Sequence, residues 1–180
     1  MSASALYGWL AQAIVFGAAI ALLPLGRWQR PAALGAIAVA SVSGLAAALH
    51  GFLGAPSATL LGLALWRLLN GGASPLTRKA AWVVVGAGAV FYPLALGLGP
   101  FDPYGLGYQP WPLLGGLALA ALVLWRVGAG AWLLLLAGAL AAYPLGLFAN
   151  LWDALIDPLL VAVAIGTLLK RPHKKKAPRP

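Results

Sequence analysis

Few side chains in this sequence can do acid–base or ligand chemistry. They are three aspartates, Asp102, Asp153 and Asp157, with no glutamate, and His50, the one histidine outside a basic tail. Asp153 and Asp157 are four residues apart, a spacing that on a single helix sets two carboxylates on one face about a turn apart. Two such groups in apolar surroundings repel, and a proton or a cation between them relieves the repulsion. Beside them, one histidine would add a nitrogen for a divalent cation or a proton relay, but the spacing matches no metal motif and no metal or cofactor is assigned. Asp157 has a second reading, because the residue before Pro158 is biased away from helix. There it is an N-cap, with Pro158 at the first helical position. Asp102 lies in the Gly-, Pro- and aromatic-rich stretch 99–110, where an Asx-type turn before Pro103 is the simplest role. His50 alone reads as a packing residue and gains interest only from its company. With Asn150, these residues form the candidate polar site: His50, Asp102, Asn150, Asp153 and Asp157.

Two Tyr-Pro pairs, Tyr92-Pro93 and Tyr143-Pro144, fall inside apolar runs. A proline within a helix removes one backbone hydrogen bond and kinks the chain, and the freed carbonyl needs a partner where no water is present. Both pairs are expected to mark kinks that face protein or a watery cavity, with interfacial packing of the tyrosines as the plainer alternative.

The elements that must hold these residues follow from composition. With 62% hydrophobic and 8% charged residues and a mean hydropathy of +0.91, the chain has too little polar surface for a soluble globule of its size. An all-α integral membrane protein is the expected class, because apolar runs near the ~20 residues needed to cross a bilayer recur and no barrel-type alternation appears. Spans are predicted at 4–25, 32–52, 57–69, 80–98, 111–126, 130–148 and 152–170, a bundle of about seven transmembrane helices. The third is the shortest and needs residues 52–56 to complete a crossing. Residues 1–170 form the bundle and 171–180 a basic cytoplasmic tail.

Orientation follows from Lys and Arg placement. Arg27 and Arg30, then Arg67, Arg78 and Lys79, then Arg126, then the tail all fall on one side of that topology, and the alternate breaks carry no basic residue. The N-terminus is therefore expected outside and the C-terminus in the cytoplasm, in a bacterial inner membrane. That places His50 and all three aspartates at the outer face. No basic n-region precedes the first span, so it reads as retained and not as a cleaved signal. Leu65-Trp66-Arg67, Trp82, Tyr92-Pro93-Leu94 and Asp102 are echoed by Leu124-Trp125-Arg126, Trp132, Tyr143-Pro144-Leu145 and Asp153, a pattern that a parallel internal repeat would leave.

Several functions are excluded on residue grounds. With no cysteine there are no disulfides, thiolate metal sites or cysteine nucleophiles. One histidine in the bundle cannot supply a bis-histidine haem. No nucleophile elbow or nucleotide-binding loop is present. The net charge of +9 is ascribed to the lipid bilayer, with anionic lipids at the basic tail, and not to nucleic acid. Three functions remain. A non-enzymatic protein that binds or transports a proton, cation or small solute through the outer Asp/His cluster leads. An accessory or assembly subunit with a membrane-protein partner or a second copy follows, and a lipid-modifying enzyme comes third. Seven helices alone do not choose among them.

Overall fold

The chain folds as helices joined by short turns, with no strand among the described residues, which are 2–71 and 74–170 of the computed structural model. In order they are α1 (Ala3–Ile20), α2 (Gln29–Val42), α3 (Leu45–Leu53), α4 (Ala58–Asn70), α5 (Arg78–Ala95), α6 (Trp111–Arg126), α7 (Gly130–Ala142), α8 (Leu151–Leu155) and α9 (Pro158–Leu169). The helix starts are written in the sequence. Ser2, Ser57, Thr77, Asn150 and Asp157 each accept a backbone N–H with the side chain and so cap α1, α4, α5, α8 and α9. The basic tail, residues 171–180, lies outside the described residues.

Two segments are long and apolar enough to cross a membrane, α1 and the Leu151–Leu169 stretch formed by α8 and α9; a third counts if the bent α2–α3 pair is one span. Helices α4, α6 and α7 are apolar but shorter. The expected single span 32–52 is corrected here, because the chain bends by 79° between Val42 and Leu45. Gly44 sits at φ +79°, a left-handed conformation that breaks a helix at little cost only for glycine. The residues thought to extend the third span do not do so, since Gly54, also at φ +79°, ends α3 and helix resumes only at Ala58. The expected span 130–148 stops at Ala142.

Helices α2, α3 and α4 pack on α1, α7, α8 and α9 on α4, α5 chiefly on α9, and α6 on α7. Small residues make the closest approaches. A Cβ on Gly17 would lie 2.8 Å from the Ala33 carbonyl oxygen, one on Gly88 would lie 2.8 Å from Val161, and one on Gly8 would strike the His50 ring. Ala13, Ala40 and Ala46 form the core between α1, α2 and α3, and Leu60, Leu63, Leu135, Leu160 and Ala164 the core around α4, α7 and α9. The outer surface is apolar, with Phe52 88%, Val42 86% and Trp111 82% exposed.

The ends of the bundle differ in charge. Arg67 donates to the Ala21 carbonyl, Arg30 to Leu69 and Arg78 to Lys170, while Trp132 donates to Pro75, so these turns share one end. Asp157 is at the opposite end, because it bonds to Ser57 at the start of α4, and α4's thirteen residues span about 20 Å.

Candidate functional site

Buried polar side chains gather at the acidic end. Gln12, Ser57, Thr59, Asn150 and Asp157 are each under a tenth exposed, and all bond to or within two segments, the non-helical join at 54–57 and residues 150–157, which hold the short α8. At the first join the helical ladder is interrupted, and three side chains bond the backbone groups it leaves. Tyr7 donates to the Pro56 carbonyl at 2.9 Å, Gln12 donates to Gly54 at 2.8 Å, and Asp157 Oδ2 accepts the Ser57 N–H at 2.7 Å. The other carboxylate oxygen, Asp157 Oδ1, accepts the Leu160 N–H at 2.9 Å. Asp157 is thus the N-cap of α9 while holding the start of α4, and two helix N-termini with their partial positive charge converge on one carboxylate. Of the two readings of Asp157, this geometry is the cap.

Asp153 differs. It lies in α8 and Asp157 begins a separate helix, so the two do not stack on one helical face as an i, i+4 pair. Among the described residues the Asp153 carboxylate accepts only the Tyr104 hydroxyl, at 3.2 and 3.1 Å to its two oxygens. A carboxylate has roughly four acceptor positions, so most of its capacity is open. Burial, and then the Asp153 charge, push the Tyr104 phenol well above its usual value, so Tyr104 is a donor here and not a base.

The turn that carries Tyr104 is pinned to α8. Asn150 accepts the Trp152 N–H with Oδ1 and donates from Nδ2 to the Tyr104 carbonyl, and the Trp152 indole donates to the Pro103 carbonyl at 2.8 Å. Asp102 Oδ1 accepts the Tyr104 N–H at 2.9 Å, the Asx turn its sequence implied. Phe91 packs on Trp152 with ring centroids 4.6 Å apart and closes the aromatic wall.

Between these elements lies a cavity of about 530 Å³, whose lining among the described residues includes Asp153, Asp157, Tyr92, Tyr104, Phe91 and Phe148 and no Lys, Arg or His. The Tyr92 hydroxyl is buried without a hydrogen-bond partner among the described residues. Of the candidate residues, the fold brings Asp153, Asp157 and Tyr92 to this cavity. Asn150 and Asp102 act behind it by fixing the Tyr104 turn. His50 lies apart from these: its ring packs against Gly8, its buried Nδ1 has no hydrogen-bond partner among the described residues, and it is not among the residues that line the cavity. The bend at Gly44 sets the direction of α3 and thereby where His50 goes.

The Tyr-Pro pairs also part company. Pro93 falls in the last turn of α5, whereas Tyr143 follows the last residue of α7, so Pro144 lies beyond a helix end and does not kink a span. Tyr143 is not among the cavity residues. Sequence reasoning missed Tyr7, Gln12, Ser57 and Tyr104. Gln12 was findable, as a lone amide in an otherwise apolar first span. For the others the partners are backbone groups or side chains distant in sequence.

No family profile, curated protein or solved structure matches this chain. What fold and site define is a class: an all-helical bundle with apolar flanks, two to three segments able to span a membrane, and a carboxylate-bearing cavity at one end.

Proposed function

We propose that this chain is a multi-pass protein of a bacterial inner membrane, with its basic end in the cytoplasm, that binds a small organic cation at its outer, acidic end. The observation that carries the reading is the cavity, in which Asp153 has open acceptor capacity and no basic side chain of the described residues competes. Its volume, about 530 Å³, falls within the few hundred Å³ that small-molecule sites occupy and is far more than a bare ion needs. Phe91, Tyr92, Tyr104 and Phe148 supply aromatic faces that favour an ammonium group. Membrane embedding accounts for the exposed Phe52, Val42 and Trp111, whose exposure to water would be costly. A lipid-modifying enzyme would use His50 with an aspartate, and no hydrogen bond joins them among the described residues, where His50 packs on Gly8.

The test is a thermal-shift series on the full-length protein with alkylammonium ions of increasing size, comparing wild type and Asp153→Asn. Wild type should be stabilised by about 2–3 kcal/mol at a hundredfold excess over the dissociation constant. Asp153→Asn should lose that response while melting near the ligand-free wild type. An undiminished response in Asp153→Asn would rule the reading out.

A further inference from the structure

At the other end of the bundle, the ends of α1 and α4 and the start of α2 enclose a second pocket of about 260 Å³, lined by Ala21, Gly26, Arg27, Gln29, Arg30, Arg67, Leu68, Asn70 and Gly71. We propose that this pocket binds a phosphate-bearing anion, seated by Arg27, Arg30 and Arg67. The proposal is independent of the cation site, which lies about 20 Å away along α4.

Charge and donor count carry it. Three arginines line one small space, and none of the three side-chain carboxylates of the sequence lines it. Arg67 donates to Ala21 at the end of α1 and Arg30 to Leu69 in the last turn of α4. Those two helix ends each contribute about half a negative charge, so the pocket keeps a surplus of about two positive charges, which a phosphate complements. The carbonyl contacts also orient the two guanidinium groups, and a planar fork held in place is the geometry that recognises phosphate oxygens in pairs. Arg27 is the informative member. It makes no hydrogen bond among the described residues and only lies over the Trp28 ring, 5.5 Å from its centroid, so helix capping does not account for its presence. The Gln29 and Asn70 amides, which donate to Leu23 and Trp66, complete a polar lining.

Size and surroundings narrow the ligand. A pocket of about 260 Å³ is below the range of drug-sized sites and suits a phosphate group or a compact headgroup more than a nucleotide. Leu22, Leu23, Leu25 and Trp28 stand exposed beside it, an apolar rim next to a cationic pocket. That arrangement fits a phospholipid headgroup with its chains along the rim; inorganic phosphate from solution presents the same oxygens.

The experiment uses the full-length protein with two probes, phosphatidic acid in phosphatidylcholine nanodiscs and inorganic phosphate in lipid-free detergent. Binding is compared for wild type, Arg27→Gln and Arg126→Gln. Arg126 is the control, an exposed arginine that also sits over a tryptophan, Trp125, but outside the pocket. Arg27→Gln supports no backbone carbonyl and should fold normally; Arg30→Lys, which keeps charge but loses the planar fork, is the second variant. Arg27→Gln is expected to weaken binding about tenfold, the loss typical of one charge-assisted hydrogen bond, with Arg126→Gln unchanged. Binding of the lipid alone with that variant pattern identifies a headgroup site, and binding of both probes identifies a general phosphate site. If Arg27→Gln and Arg126→Gln weaken binding equally, or neither probe binds, the proposal is overturned, because the arginines then act only as a diffuse positive surface and as helix caps.

Discussion

Both oxygens of Asp157 are taken by backbone N–H groups, those of Ser57 and Leu160, so altering this residue acts on the fold before it acts on any ligand. Asp157→Ala strands two buried donors and should cost about 2–4 kcal/mol, the sum of a lost cap and an unsatisfied buried N–H. Asp153→Asn keeps an acceptor for the Tyr104 hydroxyl and should cost about 1 kcal/mol or less. Denaturant unfolding of the two variants side by side checks this, and equal losses would contradict the division of roles. Tyr104 adds a pH signature. Its phenol loses its proton less readily in the fold than in the unfolded chain, so the unfolded state gains as pH rises past about 10. Stability should therefore decline above that pH and be intact below it, and Tyr104→Phe should flatten the alkaline decline in a melting series. The cap at Asp157 was legible because Asp-Pro is a local signal. The grip of Tyr7 and Gln12 on residues 54–56 was not, since it joins groups more than forty residues apart.

At the scale of elements, the acidic end depends on where helices stop more than on where they run. Residues 54–57 and 156–157 are breaks joined by the Asp157–Ser57 bond, and the first is satisfied by side chains from α1 and from the start of α9. A hydropathy window smooths over breaks of this kind. It places the apolar stretches well, since α4 and α6 match the expected 57–69 and 111–126 to within a residue. It cannot register the 79° bend at Gly44 or the end of α7 before Tyr143, which are set by one glycine's backbone angle and by local turn geometry. The packing of α3 on α1 yields a prediction at this scale. Gly8→Ala places a methyl group against the His50 ring and should destabilise the α1–α3 contact by about 1–3 kcal/mol through overpacking. Adding His50→Ala to that variant should recover much of the loss, giving a coupling of about 1 kcal/mol in a double-mutant cycle. Additive losses would mean that His50 is held by something other than this contact.

For the molecule as a whole, the separation of charge is the property that links sequence, fold and proposed orientation. Seven basic residues between Arg27 and Lys170 belong to one set of turns, and Asp102, Asp153 and Asp157 to the joins near Tyr104 and Ser57. In a membrane that bears the anionic surface and potential of the cytoplasmic side, such a molecule has one favourable orientation, with the arginine pocket inward and the Asp153 cavity outward. The sequence has no cysteine, so a single introduced thiol reports its own side without background. Gly105→Cys lies in the turn beside Tyr104, where a Cβ meets nothing closer than 3.7 Å, and Val127→Cys lies in the exposed turn between α6 and α7. A membrane-impermeant maleimide added to intact cells should label the first thiol and spare the second, and permeabilised cells should label both. The reverse pattern would invert the orientation and put the cation cavity on the cytoplasmic side. Labelling of both thiols in intact cells would mean that α6, the one helix between these turns, does not carry the chain across the bilayer, and this short apolar helix would then have to be read as packed on the two or three longer spans.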